Sequence, residues 1–246
     1  MMADYGDHIE SKALRFINAY NAIDSSLRNI YNFKRNITFS DMIRRATSLN
    51  HIVRKYEDKL IDYGRLRNAI VHGNLGDEII AEPHEKVVIE FEKIAQILST
   101  PPLALETIAT RQVLIIEETE NLKKVMSMMY KYGFKNLPIY SNGMLIGVAN
   151  AGRLLDFLGK NIVEGNNIDE LTNNKSIGEF VRQDPVDNFY SVVNKHITIE
   201  QTLDLFYNNK KLLIVLITEN GNFFDKPTGI ITIADTMDMN KILDIY

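Results

Sequence analysis

Gly229-Ile230-Ile231-Thr232-Ile233-Ala234-Asp235 is the stretch on which the reading of this chain turns. A β-rich run that opens on glycine and closes on threonine and aspartate predicts a strand over Gly229–Ala234, which runs into a helix over Thr236–Leu243. Ahead of it, Ser191–Asn194 reads as a strand, Ile199–Tyr207 as a helix and Leu212–Thr218 as a strand. The same order stands earlier in the chain. Val113–Ile116 predicts a strand, Leu122–Tyr130 a helix, and Leu137–Tyr140 and Met144–Ala149 two strands joined at Asn142-Gly143, a strong two-residue hairpin signal. Arg153–Leu158 is then a helix. Gly147 and Gly229 fall at matching points, 82 residues apart. The strand-to-strand connection is longer in the second copy, from Glu219 to Thr228. A repeated β-α-β-β-α unit follows from the pattern.

Outward from the repeat, the chain changes character at Thr100-Pro101-Pro102, because proline excludes the helical conformation from the residue before it. Up to residue 98 the apolar spacing is helical. Ile9, Ala13, Phe16, Tyr20, Ile23, Leu27 and Ile30 form one stripe. Ser40 stands where an N-cap belongs, and Ile43 through Ile70 continue the period until Gly73, Asn74 and Gly76 stop it. Pro83 opens a last segment with Val87, Phe91, Ile94 and Leu98 facing inward. The expected fold class is α plus α/β in two domains: a helical bundle over 1–99, then tandem units over 103–160 and 175–246.

Composition narrows the chemistry. The 246 residues are 45% apolar and 24% charged, enough to bury a core. No apolar run approaches the roughly 18 residues of a membrane helix, and no signal-peptide pattern opens the chain, so no membrane partner is expected. The absence of cysteine removes disulfides, thiol catalysis and cysteine-rich zinc sites and fits a cytoplasmic location. The five histidines show no HxxxH pair, so no metal site is expected. The net charge of −4 conceals a local pattern. Residues 28–67 hold ten basic side chains against four acids, whereas 77–92 hold six acids against Lys86. These charges either pair on one surface or offer a basic face to RNA.

The stretch 229–235 resembles the ribose-binding signature of the CBS domain, and with two copies the region from about 103 to 246 resembles a CBS pair, or Bateman module. The resemblance implies adenine nucleotide (AMP, ADP or ATP) as a regulatory ligand, with Gly229, Ile230, Thr232 and Asp235 as nucleotide-binding residues. The chemistry is sound without the name. A carboxylate at a helix start accepts hydrogen bonds from both ribose hydroxyls, and the Thr hydroxyl and first helical N–H groups can face phosphate. The same two residue types also serve simply as helix caps. The first copy reads Gly147-Val148-Ala149-Asn150-Ala151-Gly152-Arg153, with Arg for Asp. Arginine cannot accept hydroxyl protons, so one occupied site is expected. Arg153 can instead reach a phosphate held by the other copy, or stay solvated. Lys195 and His196 are further phosphate candidates.

Arg67-Asn68-Ala69-Ile70-Val71-His72-Gly73 resembles the Arg-x4–6-His motif of HEPN domains. Spacing alone carries little, since eleven arginines and five histidines give about 0.7 such matches by chance. Context separates this match from Arg44 and Arg45 before His51: a polar residue follows the arginine, and the histidine closes a helix. At 100° per residue Asn68 and His72 lie about 40° apart around the helix, and Arg67 and His72 about 140°. Convergence of Arg67 on His72 then needs the long side chain, local unwinding near Gly73, or a second subunit. The resemblance implies catalytic Arg67, Asn68 and His72 working across a homodimer on an RNA substrate, with no cofactor for catalysis. Tyr31, Tyr56 and Tyr63 either stack bases or belong to the core.

Together these readings predict an adenine-nucleotide-regulated, metal-independent endoribonuclease. The alternative is a catalytically silent nucleotide sensor that dimerises and binds a protein partner through its helical half.

Overall fold

The structure, a computed structural model, describes residues 11–71, 82–183 and 189–244. The chain divides into two compact units: 1–102 together with 240–246, and 103–239. Among the described residues no helix is long and apolar enough to cross a membrane.

The first unit is helical: α1 (Lys12–Tyr31), α2 (Phe39–Ala46), α3 (His51–Lys55), α4 (Glu57–Val71) and α5 (Glu85–Ser99). Helix α1 begins where Ser11 Oγ accepts the Leu14 N–H and ends at Asn32, whose φ of 53° closes the last turn. Its stripe of Phe16, Ile23 and Leu27 is fully buried. Phe16 packs on Phe91 of α5 with ring centroids 4.6 Å apart, and Arg15 ties the same two helices through Glu85 and Glu92. Gly64 lets α4 approach α2, since a Cβ there would lie 2.9 Å from the Phe39 ring.

Two expectations need correction here, and one open choice is decided. The N-cap of α2 is Thr38, whose hydroxyl accepts the Asp41 N–H, and Ser40 lies inside the first turn. The continuous helix expected from Ser40 to Ile70 is three helices. Asn50 caps α3 by accepting the Val53 N–H at 2.8 Å, while the apolar period runs on regardless of the break. Tyr56 and Tyr63 belong to the core: Tyr56 is buried, and Tyr63 packs on Phe16 and Phe91 while its hydroxyl donates to Glu90. Half of the basic stretch is paired with carboxylates, through Arg28, Arg44, Lys55, Lys59 and Arg65. Gly73, Asn74 and Gly76 lie outside the described residues.

The second unit opens with a short helix α6 (Ala104–Thr107). Its first copy holds β1 (Ile116–Glu117), α7 (Leu122–Tyr132), β2 (Asn136–Ser141), β3 (Met144–Asn150) and α8 (Ala151–Val163). After α9 (Ile168–Asn174) and α10 (Ile177–Gln183), the second copy repeats the order with β4 (Tyr190–Asn194), α11 (Ile199–Asn208), β5 (Ile214–Thr218), β6 (Pro227–Thr232), a single 3₁₀ turn and α12 (Thr236–Leu243). Each copy forms a three-stranded sheet, one parallel pair and one antiparallel pair, in the orders β1-β2-β3 and β4-β5-β6. The antiparallel pairs share a register shift at equivalent places, Ile139/Tyr140 and Ile217/Thr218. Asn142 and Gly143 close the first hairpin with φ of 49° and 80°, the doubly positive pair that a tight two-residue turn requires. Strand β1 is shorter than the run Val113–Ile116 suggested.

The copies interlock by exchange. Thr110, ahead of the first copy's strand, exchanges two 3.0 Å hydrogen bonds with Ile230 of β6, and the Ala104 N–H donates to Ile197 O. Reciprocally, α10 precedes the second copy yet packs on β2 and β3, and the Ile177 N–H donates to Glu120 O at 2.7 Å. The two matching glycines permit this. A Cβ at Gly229 would stand 2.7 Å from Leu105 and 3.1 Å from Ala109, and one at Gly147 would stand 3.1 Å from Val181. The long β5–β6 connection also docks on the first copy, where the Leu145 N–H donates to Phe223 O and the Tyr140 hydroxyl to Asp225 O.

Candidate functional site

Strand β6 brings Thr232 to its end, opposite Ile214 of β5, and the chain turns there into the 3₁₀ turn and α12. Asp235 folds back on that corner. Its Oδ2 accepts the Thr232 N–H at 2.7 Å and the Thr232 hydroxyl at 3.0 Å. Both bonds fall on one carboxylate oxygen, and Oδ1 makes none among the described residues. The carboxylate is half-buried at a helix start, where N–H groups unpaired within the helix favour negative charge. Thr232 and Asp235 thus stand together as expected, and they also brace the corner. Gly229 and Ile230 serve the interlock, Gly229 by close approach and Ile230 through its bonds to Thr110.

The first copy keeps the backbone and changes the chemistry. Asn150 Oδ1 accepts the Arg153 N–H at 3.2 Å and caps α8, while Asn150 Nδ2 donates to Asn136 Oδ1. The Arg153 guanidinium lies over the Phe189 ring, 4.7 Å from its centroid. Burial there pushes the Arg153 pKa below its ordinary value, against the pull of Asp156. Phe189 O accepts the Leu213 and Ile214 N–H groups, so it marks the same sheet end that holds Thr232, two strands or about 10 Å away by strand spacing. Phe189 carries no signal in the sequence that would have singled it out.

Lys195 is not brought to this corner. It follows Asn194, which pairs with Thr218, and Thr218 pairs with Pro227, whereas Thr232 pairs with Ile214. The two residues therefore occupy opposite ends of the sheet, roughly 13 Å apart along the strands. Lys195 pairs instead with Glu219, and the His196 N–H donates to Asn194 Oδ1 in a tight turn.

In the first unit, Arg67 and Asn68 lie on the last turns of α4. Arg67 Nη1 donates to Asn68 Oδ1 at 3.3 Å, and the guanidinium stands 5.0 Å over the Tyr20 ring, itself stacked on Phe39. Arg67 Nε is buried and has no hydrogen-bond partner among the described residues. His72, the third member expected here, lies outside the described residues.

A family model of the CBS domain matches residues 105–160, so the second unit contains a CBS domain. No curated protein matches the chain. Among solved structures, the CBS domain of a bacterial Mg²⁺ transporter of the CNNM/CorC family, in complex with ATP, is 16% identical over 64% of this chain and 96% of its own, with a TM-score of 0.43. The CBS-domain protein ATU1752 of Agrobacterium tumefaciens is 15% identical over 55% of this chain and 90% of its own, with a TM-score of 0.41. CBSX2 in complex with AMP is 15% identical over 58% of this chain and 98% of its own, also with a TM-score of 0.41.

Proposed function

We propose, with a CBS domain in the second unit as premise, that this protein is an adenine-nucleotide sensor whose second unit regulates its helical unit. One observation carries the reading. Asp235 sits at a helix start with one carboxylate oxygen committed to Thr232 and the other available to ribose hydroxyls. The hydroxyls donate to that oxygen, and the N–H groups opening α12 and the 3₁₀ turn before it face the phosphate. Arg153, anchored on Phe189 at the same sheet end, is the cation available to a nucleotide held from the second copy. The first copy lacks the carboxylate and holds no ribose. Calorimetry with AMP, ADP and ATP tests this: binding with one site per chain is expected, lost in Asp235→Ala. Unchanged binding in that variant would move the site elsewhere.

The helical unit supports a second, finer reading as the effector, a metal-independent endoribonuclease acting as a homodimer. The buried, unpartnered Nε of Arg67 favours it, since an N–H kept out of water without an acceptor invites a ligand oxygen. In this reading the RNA 2′-hydroxyl attacks the adjacent phosphorus, leaving a 2′,3′-cyclic phosphate and a free 5′-hydroxyl. His72 moves the protons, Arg67 stabilises the charge on the phosphorane oxygens, and Asn68 orients its neighbours. Single-stranded RNA incubated with the protein in EDTA should be cut to different extents with and without nucleotide, and Arg67→Ala and His72→Ala should each abolish cutting. No cleavage under any of these conditions would leave a catalytically silent sensor that acts through a protein partner.

A further inference from the structure

A cleft of about 530 Å³ opens between α8, α9 and α10, within the size range of small-molecule sites. Its floor is aromatic. Phe157 and Phe180 meet edge to face with centroids 5.4 Å apart, and Phe180 is buried. Asn161 stiffens the α8 wall, donating to Phe157 O and accepting from Asn166, both at 2.8 Å. The rim carries three cations, Arg153, Lys160 and Lys175, against two acids, Asp156 and Glu164. Lys160 reaches Glu164 only at 3.8 Å, with both side chains well exposed, so that pair compensates little. Lys175 touches only neutral groups, the Phe157 ring at 5.2 Å and the Gln183 amide oxygen, with no carboxylate at ion-pair distance among the described residues. An ammonium with no carboxylate in contact, its charge reaching Glu179 only from farther off, thus stands beside an aromatic floor.

We propose that this cleft binds a small anion carrying an aromatic ring, the ring seated against Phe157 and Phe180 and the anionic group drawn to Lys175, with Lys160 and Arg153 completing a cationic rim. The ring gains edge-to-face contacts on Phe157 and Phe180, and the anion gives Lys175 a partner at ion-pair distance. The site shares only Arg153 with the Asp235 corner and needs no ribose.

Phenyl phosphate tests it, because it has the ring and the anion but none of the hydroxyls that Asp235 would hold. Saturation-transfer NMR on the full chain should show phenyl phosphate binding, with phenol binding, and inorganic phosphate competing, at least about tenfold less tightly. Lys175→Gln and Phe157→Leu should each weaken it by about tenfold, and Asp235→Ala should leave it unchanged. Lys175 is a rim residue, so its variant keeps the test valid even if Phe157→Leu misfolds. No transfer to phenyl phosphate, or equal binding in Lys175→Gln, overturns the proposal. Loss in Asp235→Ala overturns it too, by assigning the probe to the other corner. The nucleotide reading is decided separately, in Lys175→Gln protein, where one AMP per chain should bind and the added Asp235→Ala should remove it.

Discussion

The two seven-residue corners, Gly147–Arg153 and Gly229–Asp235, share a backbone and differ in chemistry. In both, the glycine admits a segment belonging to the opposite copy, Val181 against Gly147 and Leu105 with Ala109 against Gly229. In both, the strand end turns into helical backbone, α8 at once in the first and a 3₁₀ turn before α12 in the second. At the last position one corner presents a guanidinium packed on Phe189, and the other a carboxylate bonded to Thr232. The difference teaches that one short motif carries two separable duties. Its first residue serves assembly of the pair, and its last decides what the cleft can hold.

The comparison can be broken first at the glycines. Gly229→Ala should cost about 2 kcal/mol, the range of overpacking, because Ala109 Cβ cannot rotate away from the new methyl. Gly147→Ala, with a single close neighbour in Val181, should cost about half as much, as read from urea midpoints. Equal costs would mean that the two interlocks are matched in tightness after all. Asp235→Ala comes next, lowering nucleotide affinity at least about tenfold, or about 1.4 kcal/mol. It should also remove about 1 kcal/mol of helix capping.

Tyr140→Phe probes the long connection that only the second copy has. Losing the bond to Asp225 O should cost about 1 kcal/mol. Burial, aided by nearby Asp225, pushes the Tyr140 phenol up to about 12. The folded state therefore holds this proton to higher pH than the unfolded chain does. The stability it contributes is full below pH 10 and drains away as pH rises from about 10 through 12. Wild-type urea midpoints should fall across that window more steeply than those of Tyr140→Phe. The smallest expected effect belongs to Arg153→Ala, which gives up a cation–π contact of about 0.5–1 kcal/mol, visible as a small drop in the same midpoint.

Much of this was legible in the residues. The repeat, its hairpin at Asn142-Gly143 and the α12 span follow from local signals that neighbouring structure reinforces. The helical half was legible as helix but not as separate helices, because burial keeps the 3.6-residue period running across the cap at Asn50. Helices α9 and α10 were invisible. Seven residues each, and polar in the case of Ile168–Asn174, they offer too few turns for a period, so the cleft they wall off was invisible with them. Thr232 and Asp235 lie three residues apart, and their meeting could be read locally. Lys195 could not be placed that way, since its distance from the corner depends on strand direction and register, which no side chain near it announces.

The division of the chain has a consequence for the order of synthesis. The helical unit draws on residues 240–246, where Leu243 is buried and Asp244 pairs with Lys55. A ribosome finishes α1 to α5 well before it reaches them, and it makes the whole of 103–239 in between. Helix α12 runs across that division, so the helical half, begun first, gains its last residues only when the final helix of the pair is made.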